Sequence, residues 1–457
     1  MEEYLQFINQ KNNVGRSSFK VIDNQLWFHG INLMEIMETY GTPLKFTYLP
    51  AISGKIKSML RLFRTAIGIS SYRGTYTYCY ATKSAHFSYI LEEVLKNEIG
   101  LEISSAFDVA VILALSASGK LSNGTLIVCN GFKTDSYKNG IVELINKGYK
   151  NVIPILDNRE ELRYYIDHLP HGISIGIRVA SEDRPESAYY TSRLGIRRND
   201  ILDFYKSHIK GTKIKVTILH FFIDSGISDS SSYWIEFEKN VELYCQLARF
   251  NPHLQTLDIG GGMPFRDSFE FSFDYKSFVN QVIKRIKRIC AKYRIKEPDL
   301  ITEFGRYTVA ESSAILYRVL GRKQQNNKEK WLMLDGSFIT NLPDTWANNQ
   351  KYLLIPINNL DVAHEPVFLG GMTCDGDDYY DSGSEIARLP RTRKTQYLGF
   401  FHTGAYQDVL SGYGGIHHCL LPSPKQIVVD RNLDGTLDFK VFAEEQNSKQ
   451  ALKILGF

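Results

Sequence analysis

The chain has 457 residues, 43% apolar and 23% charged, with a formal net charge of +4. That is the balance of a soluble globular protein with more than one core; it gives no electrostatic footprint for nucleic acid, and no apolar run approaches the ~20 residues that span a bilayer. Six cysteines (Cys79, Cys129, Cys245, Cys290, Cys374 and Cys419) are scattered without CxxC spacing, which predicts a reducing, cytoplasmic setting and no metal.

The opening MEEYLQFINQKNN is acidic and then polar, unlike a secretory signal. Residues 19–46 read as short strands, an amphipathic segment and a turn. From residue 47 strands and helices alternate. Eight strands are expected: Thr75–Thr82, Gly100–Ser104, Thr125–Asn130, Asn151–Asp157, Ile173–Val179, Lys215–Phe222, Leu254–Ile259 and Leu300–Phe304. Helices are expected between them over Ser105–Ser118, Ser231–Phe250 and Tyr275–Tyr293, the last with an apolar stripe from Phe278 to Cys290. Alternation of this kind builds parallel βαβ units, and eight over roughly 230 residues suit a TIM barrel better than an open sheet. After residue 309 short β-like runs separated by Gly- and Asp-rich turns predict a mostly β domain over 310–457, which residues 1–46 join. Gln324–Lys330 reads as an exposed loop.

Candidate chemistry sits at strand ends, where parallel α/β folds place it. In TYTYCYATKSAH, Lys83 follows the first strand and Ser84 is the expected cap of the next helix. A lysine there can form a Schiff base; alone, it reads equally as a solvated loop residue. Strand seven runs into Asp258-Ile259-Gly260-Gly261-Gly262, a nest of backbone N–H groups suited to an anion and unlike GxGxxG. Strand eight ends in Glu303-Phe304-Gly305-Arg306. Glu303 suits a pyridine nitrogen and Arg306 a phosphate, or the two form an ion pair at the rim. A Schiff-base amine, a phosphate nest and a pyridinium partner are what pyridoxal phosphate requires. In the β region, Thr373-Cys374-Asp375-Gly376-Asp377-Asp378 sets a thiol among carboxylates, which suits a proton donor and readers of a cation; a calcium loop lacks its glutamate. Tyr406 in GAYQ offers a hydroxyl to phosphate, or is a buried tyrosine. His417 and His418, adjacent, are discounted as a metal pair.

YATKSAH, DIGGGMP, EFGR, TCDGDD and GAYQ, in this order, resemble the pyridoxal-phosphate-dependent ornithine, diaminopimelate and arginine decarboxylases. The resemblance covers nearly the whole chain. It implies an alanine-racemase-like barrel followed by a β domain, in a homodimer, with no exclusion of a higher oligomer, whose partners share two sites. By it Lys83 carries the cofactor, Glu303 holds the ring nitrogen, and Gly260, Gly261, Gly262, Gly305, Arg306 and Tyr406 hold the phosphate. Cys374, delivered by the partner subunit, protonates the product carbon. Glu102 and Arg178 are expected near the lysine or ring, or as barrel-core ion pairs. Where the family carries a stacking histidine this chain has Phe222, with His220 two residues earlier on the same face. SFITNLPDTWA (Ser337–Ala347) is most similar to biosynthetic arginine decarboxylases, although this chain is shorter than they are. L-Arginine, giving agmatine for polyamine synthesis, is therefore the expected substrate, with Asp344, Asp375 and Asp378 reading its cation. Lysine, ornithine, diaminopimelate and carboxylated polyamines stay open, as do a racemase and a non-catalytic binding relative.

Overall fold

A computed structural model describes residues 3–9, 18–169, 172–182, 191–228, 230–380 and 387–457. The chain divides into two compact units. One comprises Ser53–Pro264 and Phe273–Thr308, the other Met1–Ile52, Phe265–Ser272 and Val309–Phe457. The short 265–272 stretch, read from the sequence as barrel, thus clusters with the second unit.

The first unit is a closed parallel barrel, as expected. Its strands are Tyr76–Ala81, Gly100–Ile103, Ile127–Cys129, Val152–Leu156, Ser174–Ala180, Lys215–Phe221, Thr256–Asp258 and Asp299–Glu303. Each pairs in parallel with the next, and the eighth pairs with the first. The helices between them have local causes. Ser105 and Ser230 accept backbone N–H groups as caps of Ala106–Ala117 and Ser231–Ala248. Tyr275–Tyr293 buries the seven apolar residues of its stripe and ends at Arg294 in the left-handed region.

Period-2 alternation divides the barrel interior into layers. Cys79, Val128, Ile155, Ile218 and Ile301 form a buried apolar cluster. Gly100 and Gly176 complete the packing: a Cβ on Gly176 would stand 2.3 Å from the Ile155 side chain, and one on Gly100 2.7 Å from Cys79 Sγ. Two residues further along the same strands come Asn130, Asp157, His220 and Glu303, with Glu102, Arg178 and Asp258 from their neighbours, all buried. The barrel therefore has an apolar floor beneath a polar layer at its carboxyl-terminal end.

The second unit is built on Ser313–Gln324, a twelve-residue strand that pairs antiparallel with Lys330–Leu334, Tyr397–Phe401 and Leu44–Tyr48. Leu44–Tyr48 runs parallel to Lys425–Arg431, which carries Leu437–Ala443 at the edge. Phe19, Phe28, Phe46 and Phe401 centre one core cluster, Tyr317, Phe338 and Phe400 another. The central strand escaped sequence reading because its exposed half (RVLGRKQ) is charged. The 21-residue helix Leu49–Ile69 escaped as well, interrupted as it is by Gly54 and Gly68.

Candidate active site

Lys83 lies in the 3-10 turn Thr82–Ser84 that leaves the first barrel strand. Ser84 does not cap the following helix, as its spacing had suggested. That helix, Ser88–Leu95, starts after Phe87 without a side-chain cap, and Ser84 Oγ instead donates back to Ala81 O (2.8 Å) and to Tyr80 Oη (3.0 Å). Tyr80 in turn donates to Ala85 O at 3.0 Å. These bonds fix the turn, while the Lys83 side chain stays 49% exposed. Its Nζ stands 3.3 Å from Oε2 of fully buried Glu102, and neither Glu102 oxygen receives a hydrogen bond.

Across the polar layer, Glu303 Oε1 accepts from Asn130 Nδ2 at 2.8 Å. His220 lies between two carboxylates, with Nε2 4.0 Å from Glu303 Oε2 and Nδ1 3.4 Å from Asp258 Oδ2. Burial, and then the Asp258 charge, push the Glu303 carboxyl well above its usual range. Burial likewise raises Asp258 to about 6, and lowers His220 to about 4 despite the Glu303 charge. At neutral pH His220 is therefore neutral, and both carboxyl groups hold a proton more tightly than exposed ones do. Arg178 Nε, His220 Nδ1, Asp258 Oδ2 and Asn130 Oδ1 are buried without hydrogen-bond partners. Such a concentration of unpaired polar atoms around one carboxyl group is what a bound polar heterocycle would satisfy.

The glycine loop follows the seventh strand. Gly260 and Gly262 have φ of +68° and +91°, and a Cβ on Gly261 would come within 2.6 Å of Glu303 O. Asp258 Oδ1 accepts Gly260 N–H at 2.9 Å, fastening the loop to the polar layer. The Phe222 ring lies along all three glycines, 3.1–4.0 Å from where their Cβ atoms would be. Gly305 closes the arrangement: a Cβ there would meet Ser84 Oγ at 3.0 Å and Ala81 Cβ at 3.2 Å. Its absence lets the Glu303–Arg306 turn lie against the turn of Lys83. Lys83, Glu102, Arg178, His220, Phe222, the three glycines, Glu303, Gly305 and Arg306 thus share one end of the barrel. Asn130 and Asp258, both contacting this network, were given no role from the sequence.

In the β unit two expected substrate readers have other tasks. Asp344 is fully buried and accepts from Asn348 Nδ2 (2.6 Å) and Gln407 Nε2 (3.0 Å). It anchors the helix that begins beside Tyr406, and has no surface for a ligand. Asp378, also buried, accepts from Phe338 N (2.8 Å), Thr373 N (3.0 Å) and Thr373 Oγ1 (2.8 Å). It takes up the first backbone N–H of Phe338–Asn341, a helix capped by Ser337, and pins the TCDGDD loop. Asp375 alone of the three is exposed. Cys374 is exposed too, its Sγ 3.4 Å from Cys419 Sγ. Tyr406, half-buried, sits at φ +69° at the start of Gln407–Ser411. His417 is buried and binds Leu421 O through Nδ1, whereas His418 is exposed near Asp375.

Residues 53–310 match the family model of the pyridoxal-dependent decarboxylases, pyridoxal binding domain. The chain is 23% identical to the biosynthetic arginine decarboxylase of Prochlorococcus marinus over 91% of its own length and 82% of the relative's. Among solved structures, the biosynthetic arginine decarboxylase of Campylobacter jejuni superposes with a TM-score of 0.84 at 18% identity, covering 100% of this chain and 91% of that one. A diaminopimelate decarboxylase of Helicobacter pylori complexed with L-lysine gives 0.73 at 16% identity, covering 93% and 99%. The barrel-end residues fit pyridoxal phosphate: an amine, a glycine nest and a buried carboxyl group, around polar atoms that lack partners.

Proposed function

We propose that this chain, which belongs to the pyridoxal-dependent decarboxylases, removes CO2 from L-arginine to give agmatine. The convergence of Lys83, Glu303 and the triple-glycine loop at one barrel end carries the reading. The arginine decarboxylases among its relatives, matched along nine-tenths of the chain, support the substrate.

Pyridoxal phosphate, when bound, supplies the electron sink for the pair left behind as CO2 departs. Lys83 would hold it through its amine, and Gly260, Gly261, Gly262, Arg306 and Tyr406 would hold its phosphate. Glu303, its carboxyl group raised by burial, would share a proton with the ring nitrogen. Asn130 fixes one Glu303 oxygen. His220, neutral and two residues below Phe222 on one strand face, orients Glu303 without adding charge, and Phe222 offers its ring for stacking. Cys374, from a second copy, donates the proton to the carbon that lost its carboxylate. Asp375, exposed on the same loop, is the remaining carboxylate for the guanidinium, where a bidentate pair forms well. With Asp344 and Asp378 committed elsewhere, Asp375 is the better reader.

We place the enzyme in polyamine synthesis as a cytoplasmic homodimer. Among the described residues no helix is long and apolar enough to cross a membrane.

The deciding experiment is CO2 release from L-arginine, L-lysine, L-ornithine and meso-diaminopimelate with added pyridoxal phosphate, and with Lys83→Ala as control. Release from arginine, abolished in the variant, is expected. Release from another member alone overturns the substrate, and release from none overturns the activity.

A further inference from the structure

Two loops of the β unit bring four metal-ligating side chains together on the surface. Cys374 and Asp375 come from the TCDGDD loop. His418 and Cys419 come from the turn His418–Leu420, about 45 residues later in sequence. The two sulfurs are 3.4 Å apart, and Cys419 Sγ also accepts the Cys374 N–H at 3.4 Å. Ligand atoms of Cys374, His418 and Cys419 all lie within 4.8 Å of one another. His418 Nε2 stands 3.8 Å from Asp375 Oδ2, while the other Asp375 oxygen accepts Asp377 N–H.

Adjacent residues point apart on a strand, so paired ligands need a bent backbone. Cys419 supplies one: its φ of +55° and ψ of +19° are in the left-handed region, uncommon for a residue with a Cβ. Its neighbour His417 points inward to Leu421 O at 3.2 Å, leaving His418 and Cys419 facing the other loop. That other loop is held from below by Asp378 through Thr373. Both loops are fixed from behind, and the ligand atoms of Cys374, His418 and Cys419 converge, with Asp375 beside His418 as the fourth within reach.

We propose that Cys374, Cys419, His418 and Asp375 form a zinc site that no motif spacing announces. Two sulfurs, one imidazole and one carboxylate match the ligand set and number of tetrahedral Zn2+. Zn–S bonds of about 2.3 Å at a tetrahedral angle put two sulfurs about 3.8 Å apart, so the thiols need to open by only a few tenths of an ångström. Binding replaces the protons of both thiols, which leave to solvent, and no electron moves. Resting on the decarboxylase reading, a corollary follows: zinc occupies the sulfur assigned to protonate the product, and so arrests turnover.

The test uses the full chain, reduced and freed of metal by chelator, titrated with Co2+ as a visible probe. One equivalent per chain is expected to give thiolate-to-cobalt charge transfer in the near ultraviolet and tetrahedral bands in the visible, both displaced by Zn2+. Cys419→Ser and Cys374→Ser should each lose the charge-transfer intensity by half or more, and His418→Ala should weaken cobalt binding at least tenfold. A reduced chain showing no charge transfer at equimolar cobalt, with both thiols still open to alkylation, overturns the site. So does formation of a Cys374–Cys419 disulfide with glutathione disulfide in a chain that takes up no metal when reduced. For the corollary, stoichiometric zinc should lower wild-type turnover at least tenfold and leave Cys419→Ser unaffected; equal inhibition of both overturns it. Should no amino acid be decarboxylated, the cobalt spectrum still reports on the site.

Discussion

Asn130 Nδ2 donates to Glu303 Oε1 across 2.8 Å, joining the end of the third barrel strand to the end of the eighth. The bond lies inside the barrel, where an intramolecular hydrogen bond contributes about 0.5–1.5 kcal/mol net. Asn130→Ala should therefore weaken retention of pyridoxal phosphate and lower kcat by up to about tenfold. Cofactor release followed by absorbance would check this. Unchanged retention in a folded variant would make Asn130 a bystander.

Glu303→Gln preserves the shape of the carboxyl group and removes its ability to exchange a proton with a ring nitrogen. Turnover should fall at least a hundredfold, with the absorption maximum of the bound cofactor shifted. A variant with near-normal kcat would mean that another group protonates the ring.

His220 titrates near 4 in the folded protein against 6.5 in the unfolded chain. Its folded value is depressed, so the stability it contributes is complete above about 6.5 and is lost as pH falls toward about 4. Burial sets that value first, with the charges of Glu303, Arg178, Glu102 and Lys83, and Asp258 stands beside the ring. Asp258, raised to about 6, acts with the opposite sign. Its stabilisation is complete below about 4 and is lost as pH rises through 6. Between these limits the two offset one another. His220→Phe removes one side of the balance. Relative to wild type it should lose a stability slope of about 1.4 kcal/mol per pH unit over that window. Urea midpoints at pH 4.5, 5.5 and 6.5 would read it, and parallel profiles for the two proteins would exclude it.

Gly261→Ala places a Cβ 2.6 Å from Glu303 O, a backbone atom with little room to move. A cost of about 1–3 kcal/mol is expected from the overpacking, with weaker cofactor binding because the nest and Glu303 shift together. Thermal melts with and without added pyridoxal phosphate separate the two effects. A variant of wild-type stability and affinity would show that the loop tolerates a side chain.

Asp344→Ala leaves the buried Gln407 amide without one acceptor, at about 1–3 kcal/mol, while the exposed Asn348 amide can turn to water. Stability should fall while preference among basic amino acids stays as in wild type. A changed preference would return Asp344 to the substrate.

The barrel was legible because its strands are short β-branched and aromatic runs alternating with capped helices, signals carried within a dozen residues. The position of Lys83, the triple glycine and Glu303 was legible because each stands at or just past the close of a strand. Asn130 and Asp258 acquire their meaning only from register: His220 is opposite Asp258 on one side and Arg178 on the other, and no local pattern encodes that. The hydrogen-bond duties of Asp344 and Asp378 were not legible, because a sequence displays a carboxylate without displaying the N–H groups bonded to it. Cys419 escaped for the same kind of reason, since its neighbour in space is distant in the chain.

The apolar floor formed by Cys79, Val128, Ile155, Ile218 and Ile301 has an electrostatic consequence as well as a packing one. It keeps water from the polar layer above it, and that dryness is the burial that raises Asp258 and Glu303 and lowers His220. A floor residue cut down to alanine would let all three drift back toward their ordinary values together.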